Sequence, residues 1–293
     1  LLRLRKRRAA EGFAEAAFLH QRAADDLAER LEAIPRPFPR VLALGGGGLF
    51  STAVRMRAEL AARIAHIVEA DVASGSVQLD PEAAPFADGV FDLVASPLLL
   101  HWTNDLPGAL IQIRRALKPD GLLLASLFGG QTLHELRLSL IEAESEITGG
   151  AGPRVAPFAD LQDLAHLLQR AGYALPAADR DIVTVRYAEP MRLLADLRAM
   201  GETAALSARN PRGLSRRILA RAFEIYATRF ADPDGRVRAT FEIVTIAGWA
   251  PHESQPKPLK PGSAKTRLAD ALGAAEQSAG EQASAPPPAP KPA

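Results

Sequence analysis

Four consecutive glycines, Gly45–Gly48, stand directly behind the apolar run Val41-Leu42-Ala43-Leu44. Glycine carries no Cβ, so its backbone N–H groups can come close to a ligand. A helix beginning there adds unpaired N–H groups and the positive end of its dipole. Such a run can cradle a nucleotide, or only turn the chain from strand to helix. Asp71 closes the run AHIVEAD, where its carboxylate can accept ribose hydroxyls or cap the next turn. His101, Trp102, Asn104 and Asp105 follow the run VFDLVASPL. An imidazole titrating near neutrality suits His101 to general-base work. The alternative has His101 packing on Trp102 and Asp105 capping the next helix. Gly129 and Gly130, behind GLLLASLF, could admit a substrate backbone or simply reverse the chain.

The spacing of the glycines excludes some ligands. A phosphate-binding loop needs G-x-x-x-x-G-K-[ST], and from Gly45 the required Gly-Lys positions hold Phe50 and Ser51. A dinucleotide loop, G-x-G-x-x-G, fits Gly45 and Gly47 but meets Phe50 at its third position; started at Gly46, it meets Ser51. S-adenosylmethionine remains. Its amino-acid end asks for close backbone approach, and its ribose asks for a carboxylate such as Asp71.

These residues need rigid elements behind them. RVLAL (40–44), AHIVEAD (65–71), VFDLVASPL (90–98) and GLLLASLF (121–128) read as buried strands. Residues 51–63 read as a helix. Leu106, Leu110, Ile113 and Leu117 stripe another over 105–117, and Lys118-Pro119-Asp120-Gly121 reads as a turn. Further helices are expected over 132–148, 160–171 (capped by Asp160), 190–200 and 214–230, with late strands at 181–187 and 238–249. Alternating strands and helices give a doubly wound α/β fold. Its sheet is mainly parallel and Rossmann-like, with an antiparallel edge and a helical insertion over about 130–230.

Composition sets the outer bounds. The 293 residues are 47% hydrophobic and 24% charged, as expected of a globular protein. A formal charge of +1 gives no global signature of nucleic-acid binding, and no apolar run reaches the roughly 18 residues of a membrane span. Without cysteine there is neither a disulfide nor a thiol nucleophile, and the six histidines form no H-E-x-x-H metal motif. Residues 1–34 read as a helical segment with a solvated basic start, 35–250 as the main domain, and 251–293 as an extension. The proline-rich last ~20 residues of that extension are expected to be disordered. Arg216, Arg217 and Arg221 mark a charged helix face, which is usually only solvated.

The run of motifs VLALGGGG, VEAD, PFADGVFDLVAS and LKPDG resembles class I S-adenosylmethionine-dependent methyltransferases. LHWTNDLPGALIQIRRALKPDG, FGGQTLHELRLSL and GWAPHESQPKPLKPGSAKTRLADAL narrow the resemblance to one alphaproteobacterial subgroup. That subgroup is similar to a mitochondrial assembly factor of respiratory complex I and is related to the malonyl-carrier-protein methyltransferases of biotin synthesis. The resemblance spans about residues 5–272. It implies methyl transfer to a protein or carrier-linked substrate. Its alternative is complex I assembly, by hydroxylating an arginine of an iron–sulfur subunit or as a non-catalytic partner. It also implies a cytoplasmic bacterial protein, reaching the inner membrane only through a partner.

By position, the resemblance places Gly45 and Gly47 at the methionine end of the cofactor and Asp71 at the ribose. Asp80 falls near the adenine, Phe86 and Pro85 wall the ring, and Ser96 to Trp102 form the rim. The first-strand acid of the family pattern is Ala43 here, and the third loop glycine is Leu49. Only eight residues separate Asp71 from Asp80, fewer than a parallel crossover with its helix needs. A displaced third strand or an open adenine pocket is therefore expected.

Overall fold

The structure, a computed structural model, describes residues 1–205, 213–256 and 273. The chain divides into two units, Leu1–Glu253 and Ser254–Ala293. The N-terminal segment belongs to the same unit as the sheet. The expected disorder of the proline-rich tail falls outside the described residues.

In chain order the first unit runs α1 (Leu2–Ala9), α2 (Phe13–Ala16), α3 (Phe18–Glu32), β1 (Arg40–Leu44), α4 (Leu49–Arg55), α5 (Ala58–Ala61), β2 (His66–Asp71) and β3 (Val77–Gln78). It continues with β4 (Phe91–Pro97), α6 (Leu106–Ala116), β5 (Leu117–Phe128), α7 (His134–Thr148), α8 (Leu161–Arg170), β6 (Ala174–Tyr187), α9 (Pro190–Ala199), α10 (Arg216–Phe230) and β7 (Val237–Trp249). Two 3-10 turns, Gly46–Gly48 and Leu100–Trp102, follow β1 and β4.

Seven strands form one sheet in the order β3-β2-β1-β4-β5-β7-β6. The first five are parallel, and β7 runs antiparallel between β5 and β6. Both faces are covered, so the central strands read as continuous apolar runs whose alternate residues serve opposite cores. Leu42, Leu44 and Val94 join Leu110, Ile113, Leu164 and Leu168 of α6 and α8. Val41, Ala43, Leu93 and Ala95 meet Ala24, Leu27 and Leu31 of α3 and Phe50 of α4. A third core gathers α7, α9 and α10 around the other half of β7. The outer strand β6 is half exposed; its Asp179 and Asp181 take Arg30 and Arg22 from α3. Such charges blunt an edge against further pairing.

Three expectations need correction. The N-terminal segment is three helices, not one, broken around residues 10–12 and 17. The expected helix over 51–63 divides at Met56–Arg57, where Arg57 turns extended (φ −114°, ψ 91°). Lys118–Gly121 is a bulge inside β5: Phe91 pairs with Leu117 and Leu93 with Leu122, while Asp120 sits at φ 61°.

The short link after Asp71 has a clear outcome. Residues 72–76 double back without a helix, and β3 still pairs in parallel with β2, Ala70 to Val77 and Asp71 to Gln78. Gly75 makes this possible: at φ 82°, its added Cβ would lie 2.8 Å from the carbonyl oxygen of Glu69. The third strand is in place but only two residues long.

Candidate active site

Open α/β sheets place their sites beyond the carboxyl ends of the strands. At the end of β1 all four glycines have positive φ (84°, 73°, 58° and 84°). A Cβ on Gly45 would come within 2.7 Å of Leu99, and one on Gly46 within 2.6 Å of the Pro97 ring. Gly45 N–H donates to Ala70 O at 2.8 Å, and Ser96 Oγ donates to Leu44 O at 2.9 Å. Ser96 thus ties β4 to β1 with a buried hydroxyl.

Asp71 ends β2 buried, with Oδ1 accepting the Ala73 N–H at 3.3 Å. Beyond it a cavity of about 370 Å3 opens between Val72, Leu79, Asp80 and Trp102, roofed by Leu2 and Arg3 of α1. Arg3 Nε holds that roof by donating to Val72 O at 2.8 Å. Asp80 is exposed, and its Oδ1 accepts the Glu82 N–H. Phe86 does not join it: its ring packs edge-on against Phe91 at 5.1 Å and is not among the residues lining this cavity.

Next to this cavity lies a polar cluster with no sequence motif behind it. Glu202 follows α9 in a Schellman turn: Gly201 N–H donates to Arg198 O and Glu202 N–H to Leu197 O, with Gly201 at φ 73°. The turn sends the carboxylate into the interior, where its side chain is 1% exposed. Oε1 accepts from Lys6 Nζ of α1 at 2.6 Å and from His20 Nε2 of α3 at 3.1 Å. Oε2 accepts from His101 Nε2 at 2.9 Å and from Trp102 Nε1 at 2.6 Å.

Burial favours a neutral Glu202, but the Lys6 ammonium and the hydrogen bonds from His101 and His20 outweigh it and hold the carboxyl well below the usual range. Burial pulls both imidazoles down, more strongly than Glu202 raises them. The consistent state is one carboxylate, one ammonium and two neutral imidazoles. Each neutral ring then donates its Nε2–H to Glu202 and carries its lone pair on Nδ1. Among the described residues, both Nδ1 atoms are buried without a hydrogen-bond partner. The Lys6 ammonium is the positive charge paired with this carboxylate, and among the described residues no group of His, Asp or Glu has metal-binding spacing.

The comparisons with known proteins bear on the family and the fold. The model of the family described as "Methyltransferase domain" matches residues 42–125, from β1 through most of β5. The chain is 40% identical to the "Arginine-hydroxylase NDUFAF5, mitochondrial" of Homo sapiens over 256 residues, 84% of this chain and 74% of that one. It is 36% identical to the "Malonyl-[acyl-carrier protein] O-methyltransferase" of Halorhodospira halophila over 257 residues, 82% of this chain and 84% of that one. Among solved structures, the YcgJ protein of Bacillus subtilis superposes with a TM-score of 0.51 at 14% identity, covering 77% of this chain and 98% of that one, a likeness of fold alone. The chain belongs to the class I S-adenosylmethionine-dependent methyltransferase family.

The remaining candidate residues of this methyltransferase divide between those held within the scaffold and those that border cavities. Asp105 caps α6, its Oδ1 accepting the Gly108 N–H at 2.9 Å. Gly129 lets the chain pass β7: a Cβ there would lie 2.7 Å from the Glu242 carboxyl carbon, whereas one on Gly130 would make only ordinary contact with Phe158 O. His101 and Trp102 border cavities instead. The His101 ring lies among Phe128 (4.7 Å between centroids), Trp102 (5.2 Å) and Phe158 (5.6 Å), and lines a cavity of about 390 Å3 with Leu127, Asn104 and Leu164. A second cavity, about 320 Å3, lies across Phe158 and is bounded by Trp102, Glu202, Leu136 and Arg154. Three cavities therefore meet around the Leu100–Trp102 turn.

Proposed function

We propose that this protein transfers a methyl group from S-adenosylmethionine to a protein- or carrier-linked acceptor. In this reading Gly45 and Gly47 cradle the methionine end, Asp71 takes the ribose hydroxyls, and the cavity beside Val72 and Asp80 receives the adenine. The cofactor, when bound, supplies an electrophilic methyl group on a sulfonium. The chain's own task is then to hold the acceptor in line and keep water out, which is where most of such a rate enhancement originates. The observation that carries the reading is that the glycine turn, buried Asp71 and the cavity lined by His101 all lie at the carboxyl ends of the parallel strands. The relative named for malonyl-carrier-protein methylation supports an acceptor of carrier-linked type.

The test is a thermal unfolding series with S-adenosylmethionine and S-adenosylhomocysteine. Ligand at 100 times its Kd adds about 2.7 kcal/mol of stability. A saturable shift is expected. None at millimolar ligand removes the cofactor from the reading.

The relative named as an arginine hydroxylase favours a second reading, in which an arginine gains an oxygen atom, a two-electron oxidation that requires dioxygen and an external reductant. An iron–sulfur subunit of respiratory complex I is the partner that the resemblance implies. Intact-mass analysis of that subunit, from cells with and without this protein, separates the addition of a methyl group from that of an oxygen atom.

A further inference from the structure

We propose that Glu202 is the positioning residue of this site: its carboxylate fixes His101 with Nε2–H bound and Nδ1 bare, so that Nδ1 takes the proton of the methyl acceptor. The proposal rests on the methyl-transfer reading. No part of the sequence pattern points to Glu202, and its role follows from three observations.

First, the carboxylate is saturated by donors. Lys6, His20, His101 and Trp102 supply four N–H groups to its two oxygens. An ionised carboxylate only accepts, so His101 must carry its hydrogen on Nε2. Second, the other nitrogen of His101 is buried with no hydrogen-bond partner among the described residues. A buried polar atom without a partner is costly, and such atoms in native proteins call for an explanation. Third, the same ring borders the cavity beyond β4 and β5, and with Nε2 taken by Glu202 the nitrogen left for a substrate is Nδ1. Nδ1 is covered within the surrounding rings of Trp102, Phe128 and Phe158. Phe158 lies on the segment 149–160, which has no helix or strand, and borders both cavities; the proposal requires it to move aside for a substrate to reach the nitrogen.

The step balances. As the electron pair of an acceptor O–H or N–H forms its bond to the methyl carbon, the carbon–sulfur bond breaks and its pair stays on sulfur. The acceptor's proton passes to His101 Nδ1. The resulting imidazolium faces Glu202 at 2.9 Å, which offsets its charge inside the protein. Lys6 matters through the same carboxylate: its ammonium keeps Glu202 ionised, so α1 completes the site when it closes over the sheet.

The experiment that decides this needs neither cofactor nor substrate. Nitrogen-15 imidazole spectra of the wild-type protein distinguish the two neutral tautomers. His101 is expected to be neutral at about pH 7, protonated on Nε2 and bare on Nδ1. A proton on Nδ1, or a charged ring at that pH, overturns the proposal whatever the protein methylates. The companion variant is Glu202→Gln, whose single amide oxygen cannot serve four donors. If it folds, kcat is expected to fall roughly a hundredfold with KM for S-adenosylmethionine little changed. An unchanged kcat in the folded variant overturns the positioning role. If Glu202→Gln does not fold, the wild-type tautomer still decides. Absence of cofactor binding or of any methyl product counts against the methyl-transfer reading instead, and leaves the tautomer result standing.

Discussion

The Phe13 ring of α2 lies against Gly47, so close that a Cβ on that glycine would come within 2.9 Å of it. The N-terminal helices thus lean on the glycine turn itself. A Cβ on the neighbouring Gly46 would lie 2.6 Å from the ring of Pro97, which is fixed in β4. Both glycines sit at positive φ, where an alanine costs about 1–2 kcal/mol for backbone alone. The difference lies in what must move. A phenyl ring at the end of a side chain can swing away, whereas Pro97 can shift only with its strand. Gly46→Ala is therefore expected to destabilise by about 3 kcal/mol and Gly47→Ala by about 1 kcal/mol. Urea unfolding of the two variants measures this, and equal losses would show that Phe13 is as firmly held as β4.

Acid should find the Glu202 cluster before it reaches the ordinary carboxylates. His20 and His101 are kept neutral in the native protein by burial. In the unfolded chain they titrate near about 6.5. Below that pH the unfolded chain binds protons that the native state refuses, so stability is full above it and falls as the pH drops from about 7 toward 5. Each histidine contributes a slope of up to about 1.4 kcal/mol per pH unit. Glu202 is held well below the usual range, so it stays ionised across this window and adds no slope there. His20→Gln keeps a donor for Glu202 and should remove about one proton from the slope. An unchanged slope would mean that His20 is already charged when folded.

How far all this could be read from sequence depends on distance along the chain. The central strands were legible because a strand buried on both faces must be apolar throughout, as in Val41–Leu44 and Leu122–Leu124. The stripe Leu110, Ile113 and the caps Asp105 and Asp160 were legible because a helix and its cap are local. The break at Arg57 and the bulge at Lys118–Gly121 were harder, since helix and strand resume directly on either side. The Glu202 cluster lay beyond reach: His20 and Lys6 stand 182 and 196 residues from it in sequence. One sign was visible. His20 interrupts the apolar face Leu19, Ala23, Ala24 and Leu27 of α3, and a histidine fully buried on such a face has to have a partner.

Asp105 offers a control for the chemistry around His101. Its carboxylate is exposed and accepts the Gly108 N–H, the ordinary work of an N-cap. Asp105→Ala should cost about 1 kcal/mol of stability. The rate of methyl transfer per folded molecule should stay as it was. A large fall in kcat with unchanged stability would move Asp105 from scaffold to catalysis.

Asp71 is the residue on which the cofactor reading stands most exposed to test. It is buried at the end of β2, and its carboxylate accepts the Ala73 N–H at a long 3.3 Å. So weak a turn contact leaves acceptor capacity for a ribose, whose hydroxyls would each gain about 1.5–3 kcal/mol from a charged partner. Asp71→Asn keeps the shape and can still accept from Ala73, so the unliganded protein should unfold at nearly the wild-type temperature. It removes the charge and one acceptor, and affinity for S-adenosylhomocysteine should fall roughly 10- to 100-fold. Calorimetric titration reads that loss directly. Wild-type affinity in Asp71→Asn would assign the carboxylate to the turn, and the ribose would have to be sought elsewhere along β2 and β3.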